Sequence, residues 1–288
     1  MLIKENTKRI FFQIISCFFF ALLGLQIKLI SKDINVESIV FYRSALGSLI
    51  ILIIFFFSKQ KFSALVKFKN FKVMFLRSIF GTTAMYCGYK ALTYITLSQA
   101  TTISFTKVFF TILLSYIFFN EKNLKKTFIP VIIGFFGVYL IADPKNLENN
   151  LGIYLNLLSA LAVSCGILSL VYLSRRESTL GILFYNSFIS SIIYTGLFYQ
   201  NIDYELAKVL WPCLLLTFTA ILGQYFNTES YKYHETSKIV LISYSRILFA
   251  VIFGFLFLDE LLTIKDIVGF FIIVTTSILV SKIKNKRD

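Results

Sequence analysis

Across 288 residues the chain is 57% apolar and 15% charged, with a mean hydropathy of +0.76. Soluble domains sit at roughly 45–50% apolar and about 25% charged, so this chain carries more apolar surface than an interior of its length can hide, and the excess is expected to face lipid. A formal charge of +14 raises the question of nucleic acid. The Lys and Arg residues, however, sit mainly in short gaps between apolar runs rather than in a stripe on a folded surface, so no nucleic-acid partner is expected.

A membrane-spanning helix needs about 20 mostly apolar residues, and ten windows qualify. The first, 10–30, follows the basic stretch Lys4–Arg9; it resembles a signal peptide, but Gln26 and Lys28 end it and no small-residue cleavage site follows, so a retained span is expected. The second, 36–57, contains Arg43 and the small pair Ser44–Ser48. The third, 72–94, holds Arg77, Tyr86 and Lys90. The fourth, 98–119, holds Lys107 at its middle, and the fifth, 126–142, has Pro130 in its first turns, where a missing N–H does little harm. Windows six to eight are 152–173, 178–199 and 207–229, with the small pair Ala162–Gly166 in the sixth and Gln224, Asn227 and Glu229 in the eighth. The ninth, 236–258, contains Tyr244 and Arg246, and the tenth is 263–282. The small residues at four-residue spacing suit close helix packing. The expected fold is an all-α polytopic membrane protein of ten transmembrane helices.

With the N-terminus inside, nineteen Lys and Arg fall in the inner segments, five in the outer ones, and the remaining five within spans. That asymmetry puts both termini on the cytoplasmic side of a cell inner membrane. The link near Thr96–Ser98 carries no charge to fix its side.

The chain also repeats itself. A shift of 139 positions pairs Tyr94 with Tyr233, Ser98 with Ser237, Ser104 with Ser243 and Lys107 with Arg246, and also Phe110 with Phe249 and Glu121 with Glu260. Each half (10–142 and 152–282) holds five spans, an odd number, so the second copy is expected upside down relative to the first. Inverted repeats underlie many secondary transporters, with the substrate near the midplane between the halves.

Several stretches resemble a known family. The fourth span opens Ala91-Leu-Thr-Tyr-Ile-Thr-Leu-Ser-Gln-Ala and exits Phe118-Phe-Asn-Glu; the ninth exits Phe255-Leu-Phe-Leu-Asp-Glu-Leu-Leu-Thr. The second reads Phe41-Tyr-Arg-Ser-Ala-Leu-Gly and the third Arg77-Ser-Ile-Phe-Gly. These are similar to the paired EamA-type domains of the drug/metabolite transporter superfamily, except that Asn120 and Asp259 stand where the family commonly has Gly before Glu. The resemblance covers about residues 10–282. It implies a carrier with a small-molecule substrate. The layout looks nearest to S-adenosylmethionine uptake transporters, with export or import of amino acids or other organic solutes as the alternative.

Ionisable groups inside a bilayer are costly and by default face a cavity or a partner. Lys107 and Arg246, mid-helix and equivalent under the repeat, are expected to hold a carboxylate or phosphate; the alternative is neutralisation by Glu37, Glu229 or helix carbonyls. Arg77 either lines the cavity or snorkels, Arg43 either joins the site or pairs with Glu37, and Lys90 is expected to snorkel. Tyr86, Gln26, Gln224, Asn227 and Tyr244 fall near the same depth and complete the candidate substrate site. Glu121 and Glu260 are expected to cap or pair near water.

No metal or cofactor is expected. Cys17, Cys87, Cys165 and Cys213 lie in apolar runs without CxxC spacing and are expected to act as small buried hydrophobes. Acidic groups suited to proton coupling are confined to span ends, so exchange or facilitated movement is as plausible as symport. A membrane-embedded enzyme is the remote alternative, and no acidic or His cluster within one helix supports it. No filter loop suggests a channel. The partners expected are the substrate and the bilayer, and a homodimer is compatible with this reading.

Overall fold

The computed structural model describes residues 2–57, 70–119, 124–142, 150–232, 239, 242–259 and 264–281. Among these residues the chain is helical, without strands. The elements are α1 (Leu2–Ile30), α2 (Val36–Phe57), α3 (Phe71–Leu92), α4 (Leu97–Ser104), α5 (Thr106–Phe119), α6 (Leu124–Ala142), α7 (Asn150–Ser174), α8 (Thr179–Phe198), α9 (Leu206–Ser230), α10 (Ser245–Phe257) and α11 (Ile264–Ser281). Among the described residues, five helices are long and apolar enough to cross a membrane: Arg9–Ile30, Val36–Phe57, Leu151–Ser174, Thr179–Phe198 and Leu206–Ser230. α3 has the length but carries Lys72, Arg77 and Lys90. Large apolar side chains stand exposed on the outside, among them Phe11, Phe56, Leu158, Trp211 and Phe271, a belt that water would not tolerate.

Helix starts follow local polar chemistry. Asn35 Oδ1 accepts from Ser38 N at 2.8 Å, and Ser178 Oγ accepts from Gly181 N at 3.1 Å, each satisfying an amide that a helix N-terminus leaves orphaned. α4 opens on a reciprocal capping box: Gln99 N donates to Thr96 Oγ1 at 3.1 Å and Thr96 N to Gln99 Oε1 at 3.2 Å. At the other polarity, Lys28 Nζ donates to the carbonyls of Leu92 and Ile95, at 2.9 and 2.6 Å, closing the C-terminus of α3.

The fourth window, expected as one helix, is two. α4 ends and α5 begins around Phe105. The cause is a run of hydroxyls: Thr101, Ser104 and Thr106 donate back to the carbonyls of Leu97, Ala100 and Ile103, at 2.7, 2.8 and 2.9 Å, competing with the amide ladder. The ninth window shows the same device. α10 starts only at Ser245, whose Oγ donates to Ile242 O at 2.9 Å. Each break is closed by a tightened turn, Val108 N to Phe105 O at 2.9 Å and Ile247 N to Tyr244 O at 3.0 Å. Phe105 and Tyr244, Thr106 and Ser245, and Val108 and Ile247 are all mates at the 139-residue spacing.

The helices of the two halves interleave. α1 packs on α9 as α3 packs on α7; α2 packs on α8 and α6 on α11; α3 meets α8 as α9 meets α2. Two hydrogen bonds follow the same pattern, Ser16 Oγ to Gly223 O at 2.8 Å and Ser159 Oγ to Ala84 O at 2.7 Å. α6 and α11 cross so closely that a Cβ on Gly137 would lie 3.0 Å from Gly269 O. Pro130 and Pro212 fall in the second turns of α6 and α9, and neither breaks its helix.

Candidate functional site

A cavity of about 220 Å³ opens at the centre of the bundle, lined from α1, α2, α3, α4, α5, α7, α8, α9 and α10. Both helix breaks lie on its wall, Ser104 and Lys107 from one and Ser243 and Arg246 from the other. The N-terminal turns of α5 and α10 therefore reach the cavity, and the positive end of a helix dipole adds to the charge of a cation placed there.

Six of the nine residues expected from sequence line the cavity: Arg43, Arg77, Lys107, Gln224, Asn227 and Arg246. Three do not. Gln26 turns to α9, where its Nε2 donates to Thr219 Oγ1 at 3.2 Å. Tyr86 does not line the cavity; its ring is tilted against Phe198 at 4.8 Å and its hydroxyl donates to Glu37 Oε1 at 3.0 Å. Tyr244 is buried at the break of the ninth window, its ring against Phe105. Gln26 and Tyr86 miss the site because matching depth does not fix which helix face a side chain occupies.

The cations are held by soft and polar contacts. Lys107 Nζ sits 4.8 Å from the Phe105 ring centroid, Arg246 lies over Phe20 at 5.6 Å, and Arg43 lies over Tyr89 at 5.6 Å. Arg43 Nη1 also points at the Met85 sulfur. Arg77 Nη1 donates to Asn186 Oδ1 at 3.3 Å, and Gly81 makes room for this contact: a Cβ there would lie 2.5 Å from Asn186 Oδ1 and 2.7 Å from Arg77 Nη1. The Nε atoms of Arg43, Arg77 and Arg246 and the hydroxyl of Tyr89 are buried and make no hydrogen bond among the described residues.

The carboxylates are elsewhere. Glu37 accepts from Lys90 Nζ and Tyr86 Oη, each at 3.0 Å, so Lys90 is ion-paired instead of merely snorkelling, and among the described residues Arg43 forms no salt bridge with Glu37. Glu229 accepts from Arg9 Nη1 at 3.2 Å, from Thr179 Oγ1 at 2.5 Å and from Lys232 Nζ. Neither reaches Lys107 or Arg246, and among the described residues no acidic side chain lines the cavity. Glu121, Glu260 and His234 lie outside the described residues.

Sequence reasoning passed over several lining residues. Tyr89 shares a face of α3 with Arg77, Gly81, Met85 and Gly88, and that spacing was readable as a small and polar stripe. Asn156 was visible as a lone amide in an apolar run; its Nδ2 donates to Ala100 O at 2.5 Å and its Oδ1 accepts from Ser104 at 2.9 Å, bracing α4 beside the break. Cys17 lines the cavity with its thiol 3.7 Å from Ser243 O. No group of three or more metal-ligating side chains occurs among the described residues.

Comparison with known proteins places these features in context. The model of the EamA-like transporter family matches residues 7–142 and again 150–282. An uncharacterised transporter of Helicobacter pylori is 28% identical over 91% of this chain and 90% of its own length. The pseudopaline exporter of Pseudomonas aeruginosa is 26% identical over 94% of this chain and 95% of its own. A solved crystal structure superposes with a TM-score of 0.72 at 15% identity, covering 96% of this chain and 97% of the other, which shows a shared fold.

Proposed function

The chain belongs to the EamA-like transporter family, and on that premise we propose that it is a secondary carrier moving a small, acid-bearing polar metabolite through the central cavity by alternating access. The observation that carries this reading is charge. Arg43, Arg77, Lys107 and Arg246 share a cavity with no acidic lining residue among the described residues, and burying cations without counter-charge is expensive unless a ligand supplies it. A volume of about 220 Å³ lies below the roughly 300–1,000 Å³ of drug-sized sites, which suits a small solute.

The proposed architecture is ten spans in two five-helix units mounted upside down to each other. It is supported by mates that meet across the centre, by breaks repeated at the same spacing, and by helix pairings that survive exchange of the halves. Rocking of one unit against the other about the breaks would expose the cavity to each face in turn. The asymmetry of Lys and Arg favours both termini in the cytoplasm, and the bacterial relatives favour the cytoplasmic membrane. A relative named for exporting pseudopaline makes outward movement the first direction to test.

S-adenosylmethionine, the substrate suggested by sequence layout, fits this cavity less well than an organic acid. It brings a sulfonium and an ammonium to a single carboxylate, and four cations already line the site; none of the relatives above is named for it. The test is uptake into proteoliposomes of radiolabelled S-adenosylmethionine, a panel of amino acids and a panel of small organic acids. An acid is expected to be carried, with Lys107→Ala and Arg246→Ala each lowering its flux ten-fold or more, since a charge-assisted contact contributes roughly 1.5–3 kcal/mol. Flux that neither substitution alters, for any solute carried, defeats the proposal.

A further inference from the structure

The cavity cations are not one cluster. Arg43 and Arg77 come from α2 and α3, and Arg77 is anchored to α8 through Asn186. Lys107 and Arg246 come from α5 and α10, and their surroundings belong to α1 and the break: Phe20 and Gly24 beside Arg246, Phe105 beside Lys107. Electrostatic interactions follow this division, Arg77 with Arg43 and Lys107 with Arg246. Tyr89 interacts electrostatically with a cation of each pair, Arg43 and Arg246, and its ring centroid lies 5.6 Å from the Arg43 guanidinium. It is 8% exposed, lines the cavity, and its hydroxyl makes no hydrogen bond among the described residues.

Resting on the carrier reading above, we propose that the substrate carries two separated acidic groups, one held by Arg43 and Arg77, the other by Lys107 and Arg246, with Tyr89 donating a hydrogen bond to the substrate between them. Two walls each bearing two cations repel within themselves, and a single carboxylate relieves only one wall. A solute with an acid at each end relieves both, and its apolar middle meets the stretch of the α3 wall that Ala84, Met85 and Gly88 contribute to the cavity. The guanidinium donors left over at Arg43, Arg77 and Arg246 suit oxygen acceptors in bidentate geometry. The shared chemistry is the dianion. Whether its second acid is a carboxylate or a phosphonate-like group is decided by the arms of the test.

The test uses the purified full-length carrier in detergent, with melting temperature as the binding readout, and the probes succinate, glutarate, adipate and 3-phosphonopropionate beside the monomethyl esters of the three dicarboxylates. At least one diacid is expected to bind ten-fold or more tightly than its half ester. Arg77→Gln and Arg246→Gln, on opposite walls, are each expected to abolish the preference for the diacid over its half ester. Tyr89→Phe is expected to weaken both forms alike. Equal binding of diacid and half ester overturns the two-pole proposal but leaves the carrier reading, which flux of any acid tests separately. Failure of every diacid to bind overturns the two-pole proposal as well. Retention of the diacid preference in both arginine variants shows that the poles are wrongly assigned.

Discussion

Phe105 and Tyr244 lie nearly face to face, ring centroids 5.0 Å apart and planes 28° from parallel, and each marks the point where its helix breaks. They are mates at the 139-residue spacing, and both are fully buried. The stack joins the two breaks into one packed centre beside the cavity cations. Phe105→Ala opens a void there and is expected to cost about 3–5 kcal/mol, read as a large drop in the melting temperature of the purified protein. Tyr244→Phe keeps the ring and removes a hydroxyl that has no partner among the described residues, so its melting temperature is expected to match the parent or exceed it.

The breaks themselves are made by hydroxyls. Thr106→Val combined with Ser245→Ala removes the two side-chain bonds to Ile103 O and Ile242 O and lets the amide ladder run on. Back-bonding of this kind slightly destabilises helices, so stability is expected to hold or rise. Substrate flux is expected to fall about ten-fold as Lys107 and Arg246 leave their positions on the cavity wall. Unchanged flux in the double variant would mean that the breaks do not set those positions.

Gly81→Ala tests the Arg77 anchor without touching a charge. The new methyl would occupy the space now filled by Asn186 Oδ1 and Arg77 Nη1, so the 3.3 Å bond between them has to give way. The expected result is reduced solute binding with little change in melting temperature, because the displaced atoms are side-chain ends facing a cavity. A methyl that leaves binding untouched removes Arg77 from the site.

The two carboxylates at span ends differ in what they hold. Glu37 gathers Lys90 and Tyr86, whereas Glu229 gathers Arg9, Lys232 and Thr179 across three helices and a turn. Their side chains are only 13% and 14% exposed, although Lys90 is 30% exposed and better screened. Glu37→Gln is expected to cost about 1 kcal/mol and Glu229→Gln about 2 kcal/mol or more, since the latter removes the negative charge that two cations share. Thermal or urea unfolding in detergent ranks them, and the reverse order would contradict the partner sets.

Hydropathy windows located the helices well because lipid exposure and span length leave a direct mark on composition. Lys107 and Arg246 both line the cavity, as expected from their shared position under the 139-residue shift and from the cost of charge inside a bilayer. The breaks were not legible, since neither Gly nor Pro marks them; Thr and Ser at those positions read as ordinary small polar residues until the carbonyls they reach are known. Tyr86 and Tyr89 are three residues apart, yet only the second faces the cavity, which depth along a helix cannot distinguish. Tyr244 was sought as a ligand contact and serves instead as packing, for the same reason that abundant aromatics are ambiguous one by one.

The interleaving of the halves bears on how the protein is made. Ser16 is translated more than two hundred residues before its acceptor Gly223; Arg77 waits likewise for Asn186. Until then the inward polar faces of α1 and α3 have no partners from the second half, so the N-terminal half is an unfinished object that insertion machinery or a lipid-filled interface has to shelter. Separately expressed halves are therefore expected to recover function only when synthesised in the same membrane.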